Sequence, residues 1–132
     1  IAAAIAIFEL SGGLVFTYRG SWCAEGLNTT WESQWRIQGT RGAVRWNGAQ
    51  EFEAQAVAQT GGFFSQWHDL ILPPAQTEML TGHAGVIREF VDCARSGGVP
   101  QTVASDNIKS LAMVFAAIES AERRQRVEIG GF

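Results

Sequence analysis

The chain has 132 residues, a net charge of −3 and 46% hydrophobic residues, a composition that excludes a disordered segment. No basic run exceeds Arg123, Arg124 and Arg126, so the sequence gives no indication of the clustered positive surface that nucleic-acid binding requires. The apolar run at residues 1–10 is too short to span a membrane and lacks a secretory leader's basic start. Because it opens on Ile1 with a strand-like pattern, we expect the chain to begin inside a longer protein.

The first half of the sequence predicts about six short strands in a mostly antiparallel sheet. Residues 2–9 are apolar, and Ser11-Gly12-Gly13 supplies a turn into a second strand over 14–23. Residues 31–38 alternate between one face with Trp31, Ser33, Trp35 and Ile37 and a polar face with Glu32, Gln34, Arg36 and Gln38. Turn signals such as Asn47-Gly48 and Gly61-Gly62 separate further strands, which are predicted at 43–46, 50–58 and 63–72.

The second half predicts two helices that complete an α+β domain. Apolar residues recur at helical spacing over 82–96 and about 106–123. Thr81 and Ser105 are the expected N-caps, and Gly97-Gly98 ends the first helix. Pro73-Pro74 closes the sheet, and Val127–Ile129 is expected to return as a short edge strand. We therefore predict one domain over residues 1–132, with both helices packed on one face of the sheet.

The second predicted strand carries apolar side chains on both faces. Leu14, Phe16 and Tyr18 lie on one face, and Val15 lies on the other, whereas a sheet with one wet face alternates more strictly. Two helices cover one face only. We therefore expect the other face to be an oligomer interface, packed on a second copy in a homodimer or tetramer.

The sequence predicts no catalytic, cofactor or metal centre on this chain. No glycine pair has the G-x-G-x-x-G spacing of a dinucleotide site, and His68, His83 and Glu78 lack a metal-binding spacing. Lys109, the only lysine, is expected on a solvated helix surface. Cys23 and Cys93 form no C-x-x-C pair, which favours separate thiols in a reducing, cytoplasmic compartment.

Four side chains are candidates for lining a substrate site: Arg19, Trp22, Trp67 and His68. Indole rings at strand positions are usually core or interface residues, but sugars also stack on them. Arg19 and Trp22 are predicted on opposite faces of one strand, so a shared site requires a bulge near Gly20. His68 precedes Asp69, which points to the other face and cannot orient it.

Two stretches together resemble the C-terminal domain of the glucose–fructose oxidoreductase, inositol dehydrogenase and MocA (Gfo/Idh/MocA) family. The first is FELSGGLVFTYRGSWCAEG, followed by WRIQGTRGAVRWNG. The second runs from GHAGVIREF to ERRQRVEI. Its matching positions are His83, Phe90, Val91, Gly98, Pro100, Asp106, Ala117, Glu119, Ser120 and Ala121.

The resemblance implies the substrate-binding and oligomerisation domain of an oxidoreductase acting on a sugar, polyol or related hydroxyl compound. NAD or NADP would bind to an N-terminal Rossmann domain absent from this chain. The family's Glu-Lys-Pro lysine and Asp-x-x-x-His pair have no counterpart here, so the chain alone is expected to be inactive. Two alternatives remain: a free-standing small-ligand-binding or dimerisation module, and a small hydrolase using His68 or His83.

Overall fold

A computed structural model describes residues 2–73 and 81–130 and confirms the α+β class. The described residues contain six strands and two helices. All strand pairs of the larger sheet are antiparallel, but the strands are divided between a two-stranded sheet, β1-β2, and a four-stranded sheet, β3-β4-β5-β6. In chain order the elements are β1 (Ala3–Glu9), β2 (Val15–Ser21), β3 (Trp35–Gly39), β4 (Gly42–Trp46), β5 (Phe52–Gln59), β6 (Gln66–Asp69), α1 (Gly82–Ser96) and α2 (Ala104–Arg123).

The described residues group into two compact units. The sheet unit comprises residues 2–3 and 20–73, and it holds β3 to β6 together with the loop that precedes them. The hairpin–helix unit comprises residues 4–19 and 81–130, with most of β1 and β2 and both helices. All five tryptophans lie in the sheet unit, so indole fluorescence reports on this unit alone.

The four-stranded sheet has one apolar and one polar face. Ile37 pairs with Val44, which pairs with Ala54, and these three side chains share the apolar face. On the opposite face, Arg36 pairs with Arg45 and Arg45 with Glu53. Ala54 is the buried hydrophobic residue of the described chain.

Residues 31–34 do not extend β3, although their alternation predicted a strand. Ser33 has a left-handed backbone, with φ of 65°, and its N–H donates to the Thr30 carbonyl at 3.1 Å. The Thr30 hydroxyl donates to the carbonyl of Gly48 at 2.9 Å. This turn is thereby fixed to the β4–β5 connection, which is a longer loop than the predicted Asn47-Gly48 turn.

The β4–β5 loop spans residues 47–51 and is held by Asn47. The Asn47 Oδ1 accepts the N–H of Ala49 at 2.9 Å and that of Glu51 at 3.3 Å. The Asn47 Nδ2 donates to Glu51 Oε2 at 2.9 Å. Asn commonly closes turns through such bonds to its own backbone. Gly48, which belongs to this loop, is buried and has φ of 81°.

The helices occupy the predicted positions with differences at their ends. Thr81 is the N-cap of α1 but makes no side-chain cap hydrogen bond, and α2 begins after Val103 rather than Ser105. Gly97 ends α1 in the left-handed conformation, as predicted. Lys109 lies on the exposed surface of α2 and pairs with Asp106 at 2.7 Å.

The predicted strand Val127–Ile129 does not form, because this segment finds no ladder partner among the described strands. This segment has no regular secondary structure. Arg126 forms ion pairs with Glu9 of β1 at 2.9 Å and with Glu128 at 3.0 Å. The C-terminal segment is thus tied to β1 by charge. Pro74 and Glu78 lie outside the described residues.

Candidate functional site

Trp22 forms an exposed aromatic pair with Trp31 in the loop before β3. Their ring centroids are 5.4 Å apart at an interplanar angle of 60°, an edge-to-face geometry that stabilises aromatic pairs. The rings are 75% and 83% exposed. The backbone N–H of Trp22 donates to the Ala2 carbonyl at 2.8 Å and fixes the loop at its start. The Trp22–Trp31 pair therefore offers two flat apolar surfaces to solvent.

Trp67 and His68 lie next to each other on β6 and point to opposite faces. Trp67 pairs with Val57 and lies on the polar face, whereas His68 pairs with Ala56 and lies on the apolar face. Asp69 shares the face of Trp67, and its Oδ1 accepts the Gln55 amide at 2.8 Å. His68 therefore receives no orienting carboxylate from Asp69, and the hydrolase alternative gains no support from this strand.

Arg19 lies on the part of β2 that belongs to the hairpin–helix unit, and the other three candidates belong to the sheet unit. Within the sheet unit, strand alternation separates Trp67 from His68. Trp22 contacts Trp31. The sequence predicted Trp31 on a strand, but it lies before β3. Within the sheet unit, the Trp22–Trp31 pair is the exposed aromatic surface among the candidates.

The polar face of the sheet carries a row of charges that sequence reasoning missed. One guanidinium nitrogen of Arg45 donates to both carboxylate oxygens of Glu53 at 2.6 Å. This hydrogen bond, with the Glu53 charge, raises the pKa of Arg45 above its ordinary value. Both side chains are exposed, so the pair organises the surface rather than a catalytic centre. Only the strand register reveals this row, since its members are separated in sequence.

The N-terminus of α2 does not fit the pyrophosphate of a dinucleotide. Such a site requires a glycine-rich turn that leads from a strand into a helix. The connection before α2 contains Pro100 and Val103 instead, and Asp106 places a negative charge in its first turn. We therefore derive no step through NAD or NADP on this chain. Among residues 2–73 and 81–130, no three potential ligands gather around a metal position.

Neither described helix is both long and apolar enough to cross a membrane. The hairpin, the meander and the two helices together define the class: an α+β domain. The family model described as "Oxidoreductase family, C-terminal alpha/beta domain", that of the Gfo/Idh/MocA proteins, matches residues 2–129. The chain belongs to this family. No curated protein and no solved structure matches it significantly.

Proposed function

We propose that this chain is the substrate-binding and oligomerisation domain of an NAD(P)-dependent oxidoreductase that acts on a sugar, a polyol or a related hydroxyl compound. The observation that carries the proposal is the family match over residues 2–129. NAD or NADP would bind to a Rossmann domain of the same parent protein.

The substrate-contacting role is assigned to the Trp22–Trp31 pair, with Arg19, Trp67 and His68 as further candidates. An exposed indole presents an apolar face to the C–H groups of a sugar ring, and a guanidinium or an imidazole can form hydrogen bonds with hydroxyl groups. The chain supplies no lysine positioned for proton transfer, since Lys109 pairs with Asp106 on a helix surface. The chain alone is therefore expected to be inactive, although it can still bind substrate.

Oligomerisation is assigned to an open sheet face. Ile37 and Phe52 are 61% and 47% exposed in the single chain, and apolar patches of this kind mark interfaces. A homodimer or tetramer would cover them. Both cysteines are free thiols, which suits a cytoplasmic location.

The substrate role is tested by titrating the chain with a panel of sugars and polyols that includes D-glucose and myo-inositol. Indole fluorescence monitors binding. Trp22→Ala should weaken binding roughly two- to tenfold, since an aromatic contact contributes about 0.5–1.5 kcal/mol beyond area burial. The matched control is Phe63→Ala, because Phe63 is 96% exposed and outside the candidate set. An equal loss of affinity in both variants, or no saturable binding to any compound of the panel, would contradict the proposed substrate-binding role.

A further inference from the structure

The position of Trp31 in the loop before β3 is set by a hydrogen bond that leaves this loop. Trp31 directly follows Thr30, whose hydroxyl donates to the carbonyl of Gly48 at 2.9 Å. The carbonyl of Thr30 accepts the N–H of Ser33 at 3.1 Å. Thr30 therefore holds the turn that carries Trp31 through both its side chain and its backbone.

The acceptor of this hydrogen bond belongs to the fixed β4–β5 loop. The Asn47 Oδ1 accepts the N–H of Ala49 at 2.9 Å, and the indole N–H of Trp46 donates to the Ala49 carbonyl at 2.8 Å. An added Cβ at Gly48 would overlap the Thr30 hydroxyl, so glycine leaves the room that the bond requires. The carbonyl of Gly48 is thus an anchor on the sheet for the turn that carries Trp31.

We propose that Thr30 is a positioning residue: its hydrogen bond to Gly48 holds Trp31 edge to face against Trp22, and this geometry sets the affinity of the Trp22–Trp31 pair for a sugar ring. The proposal rests on the substrate-binding role proposed above and deepens it. Thr30 acts through Trp31, and the β4–β5 loop becomes a determinant of affinity although none of its residues is a candidate for substrate contact.

The contact between the two indole rings needs this support. Trp31 is 83% exposed, and the ring that it contacts among the described residues is that of Trp22. An aromatic pair contributes no more free energy than fixing the backbone of one loop residue costs. The hydrogen bond from Thr30 adds a contribution of similar size. A pair that is already ordered then binds a ring without a further loss of conformational entropy.

The binding test compares Thr30→Val, which keeps the shape of the side chain but loses the hydroxyl, with Thr30→Ser, which keeps the hydroxyl. Titration with the same panel of sugars and polyols should show weaker binding by Thr30→Val, by roughly twofold or more and within the two- to tenfold range expected for Trp22→Ala. Thr30→Ser should retain most of the affinity.

Thr29→Val is the matched control, because it makes the same change at the neighbouring position. The hydroxyl of Thr29 forms no hydrogen bond with the residues that the structure describes. The affinity of this variant should equal that of the unchanged chain. Urea denaturation of each variant confirms that it is folded under the conditions of the titration.

A spectroscopic measurement reports the geometry of the pair without any ligand. Two indole rings in edge-to-face contact couple their electronic transitions and give an exciton couplet in far-ultraviolet circular dichroism. Trp35 and Trp46 are cross-strand partners and can add a couplet of their own, so the signal of the Trp22–Trp31 pair is taken as the difference between the unchanged chain and Trp31→Ala. Thr30→Val should reduce this couplet, and Thr30→Ser should keep it.

Loss of both couplet and affinity in Thr30→Val, with both retained in Thr30→Ser and Thr29→Val, supports the positioning role. The role is overturned if either quantity is unchanged in Thr30→Val, or if Thr29→Val loses as much; the substrate role of Trp22 then stands. If the unchanged chain binds no compound of the panel, the proposed function fails and the effect on affinity fails with it. The couplet still decides in that case whether Thr30 positions Trp31.

Discussion

Gly48→Ala is expected to lower the free energy of unfolding of the sheet unit by about 2–5 kcal/mol. Gly48 has φ of 81°, a left-handed conformation that is unfavourable by roughly 1–2 kcal/mol for a residue with a Cβ. An added Cβ would also overlap the Ser33 carbonyl and the Thr30 hydroxyl. Overpacking against such neighbours contributes about 1–3 kcal/mol more.

The matched control is Gly26→Ala in the same unit. Gly26 has φ of 76°, but no atom lies within 4 Å of the position of an added Cβ. Gly26→Ala therefore isolates the loss of stability that comes from the left-handed backbone alone, roughly 1–2 kcal/mol. Urea denaturation followed by indole fluorescence gives both values. If the two variants lose equal stability, the turn at Thr30–Ser33 does not pack against the β4–β5 loop as the structure shows.

Gly42→Ala is expected to destabilise the chain by about 1–3 kcal/mol through a clash within the sheet. Gly42 lies opposite Ala56 on β5, and an added Cβ would overlap the Gln55 carbonyl on that strand. Because backbone atoms cannot move aside as a flexible side chain can, the β4–β5 ladder must shift. The nearby hydrogen bond from the Val57 N–H to the Arg41 carbonyl, 3.0 Å long, should weaken with it.

Gly39→Ala provides the control, since Gly39 is the cross-strand partner of Gly42. Its added Cβ would meet one atom, the Gly42 carbonyl oxygen at 3.8 Å, which is ordinary contact. Removing glycine's freedom from the unfolded chain should then leave stability unchanged or raise it by about 0.4–1 kcal/mol. Hydrogen exchange should accelerate at the Val57 amide in Gly42→Ala only; faster exchange in both variants would refute the clash.

The helices were predictable because their signals are local. The apolar spacing over 82–96 and the stop at Gly97 are written in consecutive residues, and α1 has exactly these bounds. The start of α2 differs because the Val103 carbonyl, rather than the Ser105 side chain, accepts the N–H of Asp106 and of Asn107 at 3.1 and 2.9 Å.

The errors in the strands arose where a distant partner overrides the local pattern. Residues 31–34 alternate as a strand would, yet the bond from Thr30 to Gly48 holds this segment in a turn. Val127–Ile129 has strand-forming residues, but the preceding Arg126 binds Glu9, a residue near the other end of the chain. Neither partner can be identified from the sequence around these segments.

The candidate site was predictable only in its residue types. Trp22 was identified from its strand-like context, but its partner Trp31 depends on the fold of the intervening loop. The Arg45–Glu53 pair depends on the β4–β5 register, which the length of the loop at 47–51 determines. The separation of Trp67 from His68, in contrast, follows directly from strand alternation.

The central claim, that this domain serves an NAD(P)-dependent oxidoreductase without binding the nucleotide itself, is tested most directly by calorimetry. NAD and NADP are titrated separately into the purified chain. We expect no saturable heat up to millimolar nucleotide, because the sequence contains no G-x-G-x-x-G phosphate-binding turn. Saturable binding with a micromolar Kd would contradict the claim.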